Sequence, residues 1–472
     1  MVDRQDALGL PLAKPFDEAD VQGLAAALRG DMIRPEDDRY DTSRAVFNAM
    51  VDRHPALIVR CAGVVDVMRG VDFARTRGIP LSIRGGGHSV AGKAVCDGGL
   101  MLDLSPMKGL RVDPARRTAE AQAGLTLGEF DHETQAFGLA TTLGVVSVTG
   151  IAGLTLGGGL GWLNGKHGLA CDNLISADVV TADGRLLRSS EEENGELFWG
   201  IRGGGGNFGV VTSFGYRLHS VGRVLAGGLS YPLSKAHKVL RFYHEFARGC
   251  PDELSTTASL GVSPDGEGVV SVSVCYCGSL DEGERVLRPL REFGSPLADN
   301  IEPMAYTTLQ SAPDAGFPQG RRHYWKSSYL KELSEEAIEV MVEYVSEVPS
   351  PATGVGLQQM HGVASRVDPT ATAFPHRDEH YDLLILSQWA DPAESESNVE
   401  WTRSLFEAMK PFCEGGVYVN NLGDEGEDRV REAYGANYER LLALKGKYDP
   451  TNLFRLNQNI KPPNETTSSP VS

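Results

Sequence analysis

The sequence predicts an α+β fold with two or three domains. The chain has 472 residues, too many for one small core. Before about residue 220, glycine is frequent and short strands alternate with helices. Beyond that point glycine becomes rarer and the strands and helices are more widely separated, which indicates a further domain with an antiparallel sheet covered by helices.

The first elements are predicted to be a helix and then a β–α–β unit. Apolar spacing places a helix, a strand, a second helix and a second strand over residues 16–30, 56–60, 66–77 and 81–83.

The second strand is followed by the turn Arg84-Gly85-Gly86-Gly87-His88-Ser89, at a strand end where ligands usually lie in such units. The glycines let backbone N–H groups approach a ligand, and His88 directs a reactive nitrogen at whatever the turn holds. An ordinary glycine turn with a solvated histidine is the alternative.

A second glycine-rich region runs from Gly150 to Trp162. Five of its glycines fall within the nine residues from Gly153 to Gly161, which excludes a regular helix and favours backbone wrapped around a ligand. A structural glycine loop is the alternative. The preceding region is predicted to form strands over residues 100–104, 109–112 and 118–121 and a helix over 124–137.

A third glycine-rich loop, residues 202–209, lies between a helix predicted to begin at Ser189 or Ser190 and a strand over 210–214. Its glycines spell G-x-G-x-x-G. A nicotinamide-dinucleotide fingerprint requires strand, glycines and helix in that order, and here the helix comes first. We therefore exclude that class of cofactor.

Later elements are predicted from periodicity alone. The expected strands cover residues 269–274 and 383–386. The expected helices cover 236–248, 334–347 and 397–410, and a last helix begins in the segment from 438.

Composition excludes several partners. The formal charge of -18 argues against nucleic acid and against an anionic membrane surface. No apolar run approaches the ~18 residues of a membrane span, and the charged N-terminus lacks a secretory signal. Seven cysteines show no metal-type spacing. We expect a cytoplasmic protein with reduced thiols, in which backbone dipoles hold any diphosphate.

Four segments occur in a recognisable order: the turn Arg84–Ser89, the run Gly153–Trp162 with Lys166–Leu169, the loop Arg202–Gly209, and the tail Lys447–Phe454 with Asn457–Ile460. Together they closely resemble the berberine-bridge-enzyme-like FAD-linked oxidases of the vanillyl-alcohol oxidase superfamily. The resemblance covers roughly residues 20 to 461.

The resemblance implies a domain plan. A two-subdomain, PCMH-type FAD-binding domain would cover residues 20–220, and a substrate domain with an antiparallel sheet over the flavin would cover 221–437. Residues 438–461 would return to the FAD domain, and 462–472 would be a disordered tail.

The resemblance also implies a cofactor site. In the family, the histidine of this turn is joined to the 8α-methyl of FAD, which here makes His88 the attachment point. The implied FAD-binding residues are Arg84, Gly85, Gly86, Gly87, His88, Ser89, Val148, Thr149, Gly153, Thr155, Gly157, Gly158, Gly159, Gly161, Gly206, Val211, Asn457, Gln458 and Asn459.

One departure from the family concerns the cofactor. Many relatives attach the flavin through a second residue, a cysteine, and Val146 occupies that position here. We therefore expect a single link, through His88. Three residues later, a valine in the family admits oxygen and an isoleucine blocks it. Thr149 is close to valine in size, which favours an oxidase over a dehydrogenase.

A second departure concerns the catalytic base. Relatives often place a tyrosine where this chain has Asn421, and an amide cannot take a proton at ordinary pH. Either another residue is the base or the substrate is an amine that needs none. The candidates that we expect to face the flavin from the substrate sheet are Lys326, Tyr329, Tyr381 and Gln388.

The resulting expectation is a monomeric or homodimeric oxidase. It would take hydride from a C–H beside oxygen or nitrogen of a small molecule and pass electrons to O2, giving H2O2. A dehydrogenase of the same fold and an inactive flavin-binding protein are alternatives. A zinc peptidase using His376, Glu379 and His380 is a rival from another class, but Pro375 and a following strand leave no room for the required helix.

Overall fold

The computed structural model describes residues 17–263 and 265–463. The predicted disordered tail therefore lies, from residue 464 on, outside the described residues. The N-terminal residues 1–16, on which the expectation of a missing secretory signal depends, also lie outside them. Among the helices of the described residues, none is long and apolar enough to cross a bilayer.

The first part of the described chain forms small sheets with helices around them. Its strands are β1 (Asp31–Ile33), β2 (Leu57–Arg60), β3 (Leu81–Arg84), β4 (Leu100–Asp103), β5 (Leu110–Asp113), β6 (Thr118–Gln122), β7 (Leu139–Ala140), β8 (Leu174–Val180), β9 (Leu186–Ser190), β10 (Val210–Arg217) and β11 (His219–Ser220). Its helices are α1 (Glu18–Ala27), α2 (Tyr40–Arg44), α3 (Val64–Arg77), α4 (Leu127–Gln135), α5 (Ile151–Leu156), α6 (Asn164–His167) and α7 (Gly195–Ile201).

Two of these sheets share one core. The first has the order β1-β2-β4-β3, with β2 and β3 both parallel to β4. The second is antiparallel, with the order β5-β6-β10-β8-β9. Helix α3 contacts β4 and β8 and buries Val67, Val71 and Ala74, which recur at helical spacing on one face. The predicted β–α–β unit is thus present, and β3 ends at the predicted turn.

The second part of the chain forms one large sheet. Its strands are β12 (Val224–Pro232), β13 (Leu254–Val262), β14 (Gly268–Tyr276), β15 (Ala298–Asp299), β16 (Glu302–Met304), β17 (Arg322–Leu330), β18 (Gly354–Met360) and β19 (His380–Trp389). The helices are α8 (Ala236–Arg248), α9 (Leu280–Glu292), α10 (Tyr306–Ser311), α11 (Glu335–Val345), α12 (Val363–Arg366), α13 (Ser395–Met409), α14 (Glu427–Tyr434) and α15 (Tyr438–Tyr448).

The large sheet is antiparallel and has helices on one face. Its order is β15-β12-β14-β13-β18-β19-β17, with β16 beside β12. On β19, Tyr381, Leu383 and Ile385 belong to a core that includes residues of α8, α11 and α13. Because side chains alternate along a strand, Asp382 and Leu384 face the opposite side. The predicted α+β fold, with an antiparallel sheet covered by helices, is confirmed, while the domain boundaries stay predictions.

The C-terminal segment packs against the first part of the chain. Leu441 and Phe454 belong to the same core as the two small sheets. The buried ammonium of Lys445 donates hydrogen bonds to the carbonyl of Asn207 and to the carboxylate of Asp449, at 3.0 Å and 2.7 Å. The tail is therefore held against the third glycine-rich loop.

Two local predictions are wrong. The second glycine-rich region does contain helix, because α5 includes Gly153 and ends only before the three consecutive glycines at 157–159. The helix expected to begin at Ser189 or Ser190 is instead α7, since both serines lie in β9. The Ser190 hydroxyl accepts hydrogen bonds from the backbone N–H groups of residues 192 and 193 and so stabilises a turn rather than a helix.

Candidate active site

A cavity of about 500 Å³ lies between the first part of the chain and the uncovered face of the large sheet. Its walls combine the turn after β3, the second and third glycine-rich regions, the C-terminal tail, and strands β13, β14, β17, β18 and β19. The four segments that carried the family resemblance therefore meet at one place. We call the segment Arg84–Ser89 the His88 turn.

The His88 turn forms one wall through its backbone. Residues 85 to 89 all line the cavity, and a Cβ on Gly86 would lie 2.4 Å from the backbone nitrogen of Gly150. Gly87 has a φ of 67°, in the region that favours glycine. Arg84 does not line the cavity. Its guanidinium contacts the Asp103 carboxylate at 2.6 Å and 3.1 Å, so Arg84 stabilises the turn from behind.

The His88 imidazole is neutral and has a free nitrogen. Its Nε2 atom is buried and has no hydrogen-bond partner within the described residues. Burial lowers the pKa of His88 to about 4, so the ring carries no charge near neutral pH. A neutral imidazole with an unpaired ring nitrogen is a competent nucleophile.

The second glycine-rich region contributes some of its predicted residues. Gly153 and Gly157 line the cavity, and so does Thr149. Val148 is 41% exposed, and the Thr155 hydroxyl is buried against the Tyr216 hydroxyl at 2.8 Å. Neither lines the cavity.

The remaining glycines of that region lie in a turn behind the wall. Gly158, Gly159 and Gly161 are not cavity residues. The backbone N–H of Gly159 donates a hydrogen bond to the Tyr418 hydroxyl at 3.0 Å, which fixes the turn. These three glycines, which were predicted to bind the cofactor, thus belong to a turn that supports the cavity wall from behind.

The loop and tail form the opposite wall. Gly206, Val211, Asn457 and Gln458 line the cavity. The Asn457 side-chain amide donates to the carbonyl of Gly206 at 3.1 Å and so joins the tail to the loop, whereas the Gln458 amide donates to the carbonyl of Leu422 at 2.7 Å. Asn459 does not line the cavity, although its Oδ1 is buried without a partner in the described chain.

A carboxyl group lies on the side of the cavity that the large sheet forms. Asp382, on β19, is 3% exposed and lines the cavity. Its carboxylate accepts hydrogen bonds from the Ser327 hydroxyl at 2.8 Å and from the Asn421 amide at 2.7 Å. Burial raises the pKa of Asp382 to about 7, and the two hydrogen bonds oppose that rise. This is the range that suits a general base at neutral pH.

Asp382 belongs to a polar row across the large sheet. Strand register places Gln358 directly opposite Asp382, Thr257 opposite Gln358, and Ser273 opposite Thr257. All of these side chains line the cavity. Neighbouring strands lie about 4.8 Å apart, so the row is roughly 14 Å long. Beside it, Leu384, Leu386 and Trp325 form an apolar strip.

Of the predicted catalytic residues, Asn421 alone lines the cavity. Lys326 lies on the helix-covered face, where its ammonium contacts Glu425 at 2.5 Å. Tyr381 lies on the same face, and its hydroxyl is 3.0 Å from the His244 ring. The expectation that Lys326 and Tyr381 face the flavin is therefore wrong, because alternation along each strand points them away.

The other two candidates share the face of Asp382 but lie beyond the cavity. The Tyr329 ring packs against His376 and His380, with centroid distances of 5.0 Å and 4.0 Å. The Gln388 amide donates to the carbonyl of Gly316 at 3.1 Å. Neither residue lines the cavity, so their predicted catalytic role is not supported by position.

The zinc-type motif lies in a loop, as its flanking residues predicted. Residues 376–379 form no helix, and β19 begins at His380. The His376 Nε2 atom lies 3.0 Å from the carbonyl oxygen of Glu432. Within residues 17–263 and 265–463, no group of histidine, cysteine or acidic side chains could hold a metal ion.

The residues present fit a flavin nucleotide. Glycine-rich backbone can approach a diphosphate without a basic patch. His88, whose Nε2 has no hydrogen-bond partner in the described chain, and the carboxyl of Asp382 line the same cavity. Fold and site therefore define a flavin-dependent oxidoreductase.

Comparison with known proteins identifies the family. The FAD binding domain family matches residues 55–190, and the berberine and berberine-like family matches residues 417–461. An FAD-linked oxidoreductase of Dictyostelium discoideum is 33% identical over 447 residues, which cover 94% of this chain and 97% of that protein. The (R)-6-hydroxynicotine oxidase of Paenarthrobacter nicotinovorans is 32% identical over 92% of this chain and 97% of its own length.

Solved structures agree with the sequence comparison. The crystal structure of 6-hydroxy-D-nicotine oxidase from Arthrobacter nicotinovorans superposes with a TM-score of 0.86 and 31% identity, covering 96% of this chain and 100% of that one. The chain belongs to the berberine-bridge-enzyme-like family, and it is an FAD-dependent oxidoreductase.

Sequence reasoning missed Asp382 and the polar row. Asp382 is the single charged residue in the apolar run from Tyr381 to Leu386. Burying a carboxylate inside a strand costs free energy, so its presence there points to a functional role. That signal was available. The row was not, because Gln358, Thr257 and Ser273 come together only through strand register.

Proposed function

We propose that this chain is an oxidase that holds FAD through one covalent bond at His88 and uses Asp382 as its catalytic base. The position of Asp382 is the observation that carries the proposal. It is the carboxyl group in a cavity that His88 also lines. Bound FAD would supply hydride acceptance and electron transfer to O2, giving H2O2.

The residues that line the cavity on the side of the His88 turn would have separate roles in binding FAD. The backbone N–H groups of residues 85–89 would hold the diphosphate, in keeping with the acidic composition of the chain. His88 would bond to the 8α-methyl carbon. Val146, which lines the cavity where many relatives have a cysteine, leaves His88 as the one expected covalent link.

Asp382 would remove the proton that accompanies hydride loss. An alcohol or ammonium substrate must lose an O–H or N–H proton as its C–H hydride departs, and an ionised carboxylate at hydrogen-bond distance can accept it. Ser327 and Asn421 hold the carboxylate in place. Asn421 therefore has a positioning role instead of the proton-accepting role of the tyrosine that many relatives place there.

The polar row would orient a small-molecule substrate. Gln358, Thr257 and Ser273 offer an amide and two hydroxyls in line with the base, while Leu384 and Trp325 offer apolar surface. Such a surface suits a compact molecule with an apolar face and polar groups along one edge. One relative is named for oxidising 6-hydroxynicotine, a compound of that kind.

The first test uses the purified protein. Acid-precipitated protein should stay yellow and fluorescent, and the flavin mass should appear on the peptide that contains His88. A colourless pellet with free FAD in the supernatant would contradict the covalent bond. His88→Ala should bind FAD that acid releases.

A second test separates oxidase from its alternatives. A screen of alcohols and amines should find a compound that bleaches the flavin without air and yields H2O2 in air. Bleaching followed by slow reoxidation in air would indicate a dehydrogenase. Thr149, which lines the cavity and is close to valine in size, supports the oxidase. The cytoplasmic location and the monomeric or homodimeric state stay predictions.

A further inference from the structure

Three aromatic rings are stacked between the His88 turn and the large sheet. The Phe47 ring lies between the imidazoles of His88 and His323, with centroid distances of 4.0 Å and 4.2 Å and interplanar angles of 14° and 22°. His88 follows β3, and His323 lies on β17. The stack therefore joins the two parts of the chain that enclose the cavity.

The middle ring is anchored through the backbone on both sides. The N–H of Phe47 donates to the carbonyl of Gly87 at 3.0 Å, directly beside His88. On the other side, the N–H of His323 donates to the Asn48 side chain, and the Asn48 amide donates back to the carbonyl of His323, both at 3.0 Å. Phe47 is 6% exposed. Its ring is thus held in one place.

The outer rings have ring nitrogens without hydrogen-bond partners. Both ring nitrogens of His323 and the Nε2 of His88 form no hydrogen bond within the described residues. Burial lowers the pKa of His323 to about 3, so this ring is neutral, as His88 is. Stacking on Phe47 is the ring contact that the two imidazoles share. The His323 ring also meets the Trp325 ring edge-on at 5.8 Å, and no hydrogen bond to the free nitrogens competes with the stacking.

We propose that Phe47 and His323 are positioning residues for the attachment of FAD to His88. Their stack fixes the plane of the imidazole so that its free nitrogen faces the 8α-carbon. This inference rests on the covalent bond proposed above. In the attachment, one C–N bond forms while one C–H and one N–H bond break. Two electrons and two protons pass to the flavin ring and then to O2, which becomes H2O2.

Orientation matters because the imidazole ring otherwise turns easily. The outer torsion of a histidine side chain is broad and has no sharp staggered preference. Bond formation needs the reacting atoms about 3–3.5 Å apart and aligned, and a misplacement of about 1 Å can cost about 100-fold in rate. A flat neighbour at van der Waals distance removes that freedom, and His323 keeps the neighbour itself from shifting.

The test compares variants that remove a ring with variants that keep it. Full-length protein isolated without flavin is incubated with FAD in air, and acid-stable flavin on the His88 peptide is followed by fluorescence and mass over time. Phe47→Leu and His323→Ala should attach FAD about 10- to 100-fold more slowly than the unaltered chain. Phe47→Tyr and His323→Phe, which keep flat rings, should stay within about threefold.

A matched control is available on the far face of the large sheet. Phe242, on α8, stacks on Phe293 with a centroid distance of 4.0 Å and an angle of 10°. Phe242→Leu therefore removes a comparable stack away from the cavity and should attach FAD at the unaltered rate. Quenching of FAD fluorescence on non-covalent binding shows that each variant is folded. If Phe47→Leu does not bind FAD, the attachment rates of His323→Ala and His323→Phe test the proposal.

Each outcome has a distinct meaning. Slow attachment in the ring-removing variants, with recovery in the ring-keeping ones, supports the proposal. Unaltered rates in Phe47→Leu and His323→Ala overturn it and leave the covalent bond at His88 intact. Equal slowing in the ring-keeping variants also overturns it, since shape would then not be the cause. Acid-labile FAD in the unaltered protein overturns both this inference and the proposed covalent bond.

Discussion

Two buried aspartates, Asp103 beneath the His88 turn and Asp382 in the large sheet, have opposite pKa shifts. The Arg84 guanidinium contacts Asp103 at 2.6 Å, and the Arg84 and Ser105 hydrogen bonds lower the pKa of Asp103 despite its burial. Asp382 has no ion-pair partner in the described chain, and burial raises its pKa to about 7. A cation therefore decides whether a buried carboxyl stays a permanent anion in the scaffold or can exchange protons.

A third carboxyl shows that the pKa alone does not identify the base. Asp131, on α4, is fully buried, and burial raises its pKa to about 7 as well. Its single side-chain hydrogen bond comes from the Gln310 amide at 3.0 Å, between α4 and α10, and it does not line the cavity. Exposure to the cavity distinguishes Asp382 from Asp131, so the two residues form a matched pair for mutation.

The largest effect is expected from Asp382→Asn. Asparagine keeps the shape but cannot accept a proton, so kcat should fall about 10²- to 10⁴-fold on any substrate found by the peroxide screen. FAD content should be unchanged. Asp131→Asn, the matched substitution, should leave kcat unaltered. Steady-state rates of both variants check this, and equal losses would remove Asp382 from the role of base.

The next largest effect is expected from Arg84→Met. It removes one of the two guanidinium groups that contact the buried Asp103. Arg60 keeps its contact at 3.4 Å, so the loss of unfolding free energy should be about 1.5–3 kcal/mol. The fold lowers the pKa of Asp103, so its contribution to stability is present above the unfolded pKa near 4 and is lost as pH falls through the folded value. Denaturant unfolding at pH 7 and pH 2.5, below the unfolded pKa, should show a smaller difference between the two proteins at pH 2.5.

The pH dependence of turnover should follow Asp382. Activity should rise with pH around a midpoint near 7, because the base must be ionised. The Asn421 amide lowers the pKa of Asp382, so Asn421→Leu should move this midpoint upward. The pH profile of kcat, measured for both proteins, is the readout, and a midpoint shifted downward would contradict the proposed hydrogen-bond role.

The smallest effect is expected on stability in Asp131→Asn. The fold raises the pKa of Asp131, so its stabilising effect is complete below pH 4 and declines until about pH 7. Asparagine does not ionise, so the variant should gain on the unaltered protein across this window, by at least about 1 kcal/mol at pH 8. Thermal unfolding at pH 5 and pH 8 measures the gain, and a loss at pH 8 would show that the fold does not raise the pKa of Asp131.

Much of the first part of the molecule could be predicted from local sequence. The β–α–β unit, the His88 turn and the glycine-rich loop at 202–209 follow from apolar spacing and from glycine, which act over a few residues. The wrong local predictions arose where the same residue type is compatible with two different local structures. Ser190 caps a turn instead of a helix, and Gly153 fits inside the short helix α5.

What the sequence by itself determined was the family and the glycine-rich segments that line one side of the cavity, since glycine content is visible in the local sequence. What only the tertiary structure decided was which side chains of the large sheet face the cavity and could act on a substrate. Lys326 and Tyr381 were plausible bases until strand alternation placed them against the helices. Asp382 became the candidate because register aligns it with Gln358 and folding brings Asn421 to its carboxylate. Register and burial depend on residues far apart in the chain, which is why local patterns could not supply them.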